Sequence, residues 1–267
     1  MNIIRNLAAF LACCAAGAAF AGEVVVDDGS TNSRSILAPG VPGTLTQSFT
    51  AEDARIRFGF RIHDELVGSL NARAPIVYNL YAGENSQAVL LATRTVHLPT
   101  EIEPDDPRNI FNDYGFVEAW FHDIALVVGQ KYTMEIVVDP ADPVTGGVGV
   151  WTSLVNPYAG GRFFFSSGVN NDFFSEQDML FRMTPVTLTG VATELFSDMQ
   201  AFGGSVRYAT QHMFENNARF PRTRCGNYQG LMRFLEHYAA TERELDAATA
   251  ADFIFRLEIV SDLSGCP

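Results

Sequence analysis

The sequence predicts a mainly β fold: an antiparallel, jelly-roll-like β-sandwich followed by a small, disulfide-linked three-helix bundle. Three observations carry this reading. Hydrophobic residues recur with period two up to about Pro185 and with period 3.6 beyond it. Clusters of Gly, Pro, Asn and Asp separate the period-two runs at short intervals. Cys225 and Cys266 bracket the last two helical segments. The expected organisation is therefore an export signal at 1–21, a sandwich domain at 22–185 and a helical module at 186–267.

The signal comes first in the chain. Met1 to Asn6 carries one positive charge, at Arg5, and Leu7 to Phe20 is an uncharged run. Ala19-Phe20-Ala21 then supplies small residues where a signal peptidase cuts. The run is shorter than the roughly 20 apolar residues a membrane span needs. Export is thus expected, with cleavage near Ala21, to the periplasm or the exterior, and without a membrane anchor on the mature chain. Cys13 and Cys14 leave with the signal, and Cys225 and Cys266 remain in a compartment where disulfides form. The net charge is −13, and losing Arg5 makes the mature chain more acidic still. Such a chain repels phosphate backbones, which argues against a nucleic-acid partner.

Ala54 to Ile62 is the clearest strand. Ile56, Phe58, Phe60 and Ile62 alternate with Arg55, Arg57, Gly59 and Arg61, which puts apolar side chains on one face and arginines on the other. Half-buried antiparallel strands make that pattern. Comparable runs follow the order Glu23–Val26, Thr44–Phe49, Ile76–Tyr81, Val89–Val96, Phe116–Phe121, Lys131–Val138, Val148–Leu154, Arg162–Ser166 and Met179–Met183. Short strands without an intervening helix argue for two stacked antiparallel sheets.

In the helical part, Val191, Leu195, Met199, Phe202, Val206, Ala209 and Met213 form one face of a first helix. Gly203-Gly204 weakens its middle by about 1 kcal/mol per glycine and marks the place for a kink or a break. A second helix runs from about Gly226 to Thr241, with Tyr228, Leu231, Met232, Leu235 and Tyr238 inward. A third starts at a cap near Asp246 or Thr249 and turns Ala250, Phe253, Ile254, Leu257 and Val260 inward. Cys225 sits just before the second helix and Cys266 just after the third. In an antiparallel pair these positions are neighbours, so the two thiols are expected to join.

Two resemblances add to this. Thr46-Gln47-Ser48-Phe49-Thr50-Ala51, Val128-Gly129-Gln130-Lys131-Tyr132-Thr133-Met134-Glu135-Ile136, Asn156-Pro157-Tyr158-Ala159-Gly160-Gly161 and Met179-Leu180-Phe181-Arg182 resemble phrases of bacterial secreted jelly-roll modules. Those modules are similar to carbohydrate-binding and lectin-like sandwiches, and the likeness spans roughly residues 44–184. It implies architecture more than activity, because one sandwich hosts many functions. The stretch Cys225–Cys266, with Leu231, Phe234, Leu235, Ala250, Ile254 and Gly265, resembles the small helical modules found in many architectures of secreted bacterial proteins. That likeness implies an accessory role.

Catalytic patterns are weak. His63, His97, His122, His212 and His237 have no second histidine or cysteine at ligand spacing, and no Gly-x-Ser-x-Gly elbow is present. For a glycan the candidates are the rings of Trp120, Trp151, Tyr114 and Tyr158, with Asn156, Asn170, Asn171 and Asp172 for the hydroxyls. Of these, Trp151, Asn156, Tyr158 and Asp172 are the expected ligand-binding residues. Asn156 to Gly161 and Asn170-Asn171-Asp172 read as loops, whereas core packing is the commoner fate of a strand tryptophan such as Trp151. The acidic segment Glu101 to Pro107, with Asn112 and Asp113, offers hard oxygen ligands. It makes Asp105, Asp106 and Asp113 candidates for a structural calcium, against the simpler reading of a solvated acidic loop. No other cofactor is expected. The expected function is a non-catalytic exported binding protein whose sandwich recognises an extracellular glycan or cell-envelope ligand. Its rivals are a structural or protein-interaction component of the bacterial surface and a polysaccharide-active enzyme.

Overall fold

The computed structural model describes residues 22–30, 32–35, 44–64, 75–84, 89–98, 113–138, 148–155, 157–166, 171–174, 177–241 and 245–266. The expected export signal, Asp105, Asp106 and Asn156 lie outside them. The chain divides into two compact units between Pro185 and Val186.

The first unit holds two antiparallel sheets. One contains β1 (Val24–Val26), β2 (Asn32–Ser35), β4 (Ile56–Asp64), β7 (Asp113–Phe121), β9 (Val148–Thr152) and β12 (Phe181–Pro185). The other runs in the order β11 (Asn171–Phe174), β10 (Phe163–Ser166), β3 (Thr44–Thr50), β8 (Lys131–Val138), β5 (Pro75–Ala82), β6 (Val89–His97). Strand β4 organises the first sheet. It pairs with β7 along one side, and along the other with β12 over its first half and β9 over its last residues.

The alternation read from the sequence sets the faces. Ile56, Phe58, Phe60 and Ile62 are buried in a core shared with the second sheet. Phe58 lies 5.1 Å from Phe49 of β3 and 5.1 Å from Phe181 of β12, and Phe60 stacks on Tyr78 of β5 at 5.8 Å. Each such ring contributes about 1.5–3 kcal/mol by leaving water. Polar links tie the sheets as well. The Tyr78 hydroxyl donates to the Val117 carbonyl at 2.6 Å, and complete burial pushes its phenol pKa upward. Arg94 of edge strand β6 donates to the Trp120 carbonyl at 3.0 Å and also pairs with Asp123.

Two short strands, β2 and β11, were not anticipated from the sequence. Asn32–Ser35 and Asn171–Phe174 lack clear alternation and form because each pairs along its whole length with a neighbouring strand, β9 and β10 respectively. Asp172, expected in a loop, therefore sits in β11 opposite Phe165.

The second unit contains four helices among the described residues, not three. The face that runs from Val191 to Met213 is split between α1 (Leu188–Phe202) and α2 (Gly204–Arg219). Gly203 between them has φ 87°, a conformation that side chains with a Cβ rarely adopt. The chain turns there, and Thr210 of α2 reaches the Met199 sulfur of α1. A short 3₁₀ turn, Pro221–Thr223, leads into α3 (Arg224–Ala240), and α4 (Ala247–Leu263) completes the unit. Asp246 caps α4, accepting from the Thr249 N–H at 2.9 Å. Tyr228, Leu231, Leu235, Phe253, Leu257 and Val260 are buried. Cys225 and Cys266 are joined, with Cα atoms 5.5 Å apart. No described helix is long and apolar enough to cross a membrane.

Candidate functional site

The side chains expected to bind a ligand on the sandwich are engaged within the protein. Trp151 follows Val150, whose side chain enters the core, so the strand period turns the indole to the opposite face. There it is completely buried, its ring 4.2 Å from that of His63. Tyr158 is half-buried and packs edge-on against Phe181 at 5.1 Å. Its hydroxyl accepts from the Thr50 N–H at 3.1 Å and donates to the Thr50 carbonyl. Trp120 is half-buried beneath the Arg57 guanidinium, which lies 4.8 Å from the ring. Tyr114 is buried. The structure does not bring Trp151 and Tyr158 together as an exposed aromatic surface.

The loop carrying Tyr158 is stitched to its neighbours. Thr50 Oγ1 and Lys131 Nζ both donate to the Gly160 carbonyl, at 2.9 and 2.8 Å. A Cβ on Gly161 would lie 1.6 Å from the Ser48 carbonyl oxygen, so only glycine lets the loop approach β3 this closely. Beneath it lies a polar knot that sequence reasoning missed. Gln47 Nε2 donates to Asp178 Oδ1 at 2.7 Å, and the Tyr158 N–H donates to Asp178 Oδ2 at 3.0 Å. The Met179 N–H donates to Gln47 Oε1 at 3.0 Å. Strand period alone places Gln47 inward beside Leu45 and Phe49, which marks it as a buried amide in need of partners.

Burial pushes the Asp178 acid up from 3.8 to about 6, against the hydrogen bonds from Gln47 and Tyr158 that lower it. The folded chain therefore holds this proton more tightly than the unfolded chain. The carboxyl's contribution to stability falls as pH rises from about 4 through about 6, and is constant above that. Asp178→Ala is expected to flatten this part of the stability–pH profile. At neutral pH it should cost about 1–3 kcal/mol, because the buried Gln47 amide and the part-buried Tyr158 N–H both lose this acceptor. Urea titrations of both proteins between pH 4 and 8 measure the difference, and parallel profiles would refute the assignment.

Asp113 occupies a second buried knot. Its Oδ2 accepts from Arg61 Nε at 2.8 Å and faces Arg61 Nη2 at 2.7 Å, while Oδ1 accepts from the Gly115 N–H at 2.9 Å. Arg61 Nη1 also meets Asp27 Oδ2 at 3.0 Å. Asp113 is thus engaged by Arg61, while Asp105 and Asp106, the other two candidate calcium ligands, lie outside the described residues. Among the described residues no group of three or more His, Cys, Asp or Glu side chains is placed to hold a metal.

Among the described residues the second unit carries an open concavity. Tyr208, His212 and Asn216 recur at i, i+4 and i+8 on α2, and Gly226, Gly230 and Phe234 recur likewise on α3. The two rows face each other across a groove of about 430 Å³, with Ala209, Met213, Asn227 and Leu231 completing its lining. That volume falls within the usual range for small-ligand sites. Neither glycine would meet anything within 4 Å if it carried a Cβ, so both leave the groove open. A sequence signal that could have marked it is the spacing Gly226-x-x-x-Gly230 on the second expected helix, a strip with no side chain. Neither a protein-family model nor a curated protein matches the chain.

Proposed function

We propose that the protein is a non-catalytic exported binding protein that recognises an extracellular glycan or cell-envelope ligand, with a jelly-roll-like sandwich as its scaffold. The observation that carries this reading is the groove between α2 and α3: ligand-sized, open, and lined by rings, amides and an imidazole without any charged side chain. Support also comes from the sandwich, where Arg61, Asp113, Gln47 and Asp178 are spent on holding strands and loops in place. Side chains committed in this way make a stiff support and leave recognition to other surfaces. The test is a glycan array probed with the chain from Gly22 to Pro267. Saturable binding without turnover of the bound glycan is expected; hydrolysis of a bound polysaccharide would replace this reading with an enzyme.

One observation favours a protein-interaction role as the second reading. Edge strand β6 begins with Val89, Leu90 and Leu91, which are 71%, 51% and 37% exposed. Exposed apolar residues on a sheet edge suit strand addition by another chain. A defined envelope partner lost on Leu90→Lys, together with silence on the array, would decide for it.

A further inference from the structure

We propose that the groove between α2 and α3 is a binding site for a neutral saccharide, an inference that rests on the glycan-binding reading above and places its site in the helical unit. The two ends of the groove differ in chemistry. Asn227 Nδ2 donates to Asn217 Oδ1 at 2.6 Å, which sets the end of α2 beside the start of α3. Tyr208 and Phe234 therefore share one end, and His212, Asn216 and Asn227 lie toward the other. Tyr208 is 73% exposed, and Phe234 is held by a stack with Tyr238 at 5.2 Å. These rings suit the apolar C–H face of a pyranose.

The polar end offers both donors and acceptors. Asn216 Nδ2 donates to His212 Nδ1 at 2.9 Å, which makes Nδ1 the acceptor and puts the proton of the neutral imidazole on Nε2. Nε2–H is then a donor for the ligand. Asn227 commits its amide nitrogen to Asn217 and Thr223 and keeps a carbonyl oxygen as acceptor. Hydroxyl groups, which donate and accept at once, satisfy such a set; phosphate and carboxylate do not. The lining contains no Arg or Lys to neutralise an anion and no Asp or Glu to hold a cation. Gly226 and Gly230 leave room for the sugar ring to lie against the α3 backbone.

The discriminating variant is Gly230→Leu. It fills the groove, and because glycine is a poor helix former it should leave the fold intact or firmer. Tyr208→Ala, at an exposed position, removes one ring. The chain from Gly22 to Pro267 is titrated calorimetrically with cellobiose, maltose, mannobiose and diacetylchitobiose, with a digalacturonate as the anionic control. The expected result is binding of at least one neutral disaccharide, weakened tenfold or more in both variants with the melting temperature of Gly230→Leu unchanged or raised. Neutral disaccharide bound equally well by Gly230→Leu would overturn the groove assignment and leave the glycan reading standing. Preference for the digalacturonate would overturn the neutral class. No binding to any member of the panel, with silence on the array, would overturn both the groove and the glycan reading.

Discussion

Replacing Arg61 with methionine should destabilise the sandwich unit by about 3–5 kcal/mol, the usual cost of removing one partner from a buried ion pair. Asp113 is fully buried and the Arg61 side chain is only 7% exposed. The guanidinium meets the Asp113 carboxylate through two nitrogens and Asp27 through a third. Methionine keeps much of the side-chain volume and removes the charge, so its cost reports the lost pairing rather than a cavity. The double variant Arg61→Met/Asp113→Leu removes both charges and should recover most of the loss, as buried pairs often tolerate apolar replacement. Both tryptophans, Trp120 and Trp151, belong to the sandwich unit, so their fluorescence in urea reads its unfolding separately from the helices. A single variant within about 1 kcal/mol of the parent would show that the knot contributes little.

Arg61 also shows where sequence reasoning succeeds and where it stops. The period of β4 places Ile56, Phe58, Phe60 and Ile62 in the core correctly, because alternation is a local property of one strand. The same period puts Arg61 on the other face but says nothing about what covers that face. Its partners Asp27 and Asp113 are distant in sequence and meet it only through tertiary structure. Trp151 shares this limit: its strand is legible, while its burial against His63 depends on the register of β9 with β4. Gln47 and Asp178 repeat the lesson over a separation of 131 residues.

Local signals are legible where backbone chemistry decides. Gly203-Gly204 marked the interruption between α1 and α2, and Asp246 marked the cap of α4. Strands β2 and β11 were not legible, since each depends on a neighbouring strand rather than on its own pattern. The groove was half legible. Tyr208, His212 and Asn216 are visibly on one helical face, and Gly226 and Gly230 on another, but only the fold sets the two faces opposite each other.

Reducing the Cys225–Cys266 bond should destabilise the helical unit by about 4 kcal/mol in the chain-entropy model, since the bond closes a loop with a sequence separation of 41 residues. The paired variant Cys225→Ser/Cys266→Ser removes the cross-link without exposing the protein to reductant. The effect should be confined to the helical unit, because α3 and α4 are the elements whose ends the bond joins. Arg224 also donates to the Ser264 carbonyl at this junction, and Tyr228 meets the Ser264 hydroxyl at 3.4 Å. These contacts hold the same ends together in the native state but do not constrain the unfolded chain. The bond therefore acts mainly by reducing the entropy of the unfolded unit, which the neighbouring hydrogen bonds cannot replace. Helical circular dichroism in urea should show an earlier loss of helix while tryptophan fluorescence keeps its midpoint. An unchanged helical midpoint would mean that the core around Leu235 and Leu257 suffices alone, and a shift in both signals would mean that the two units unfold together.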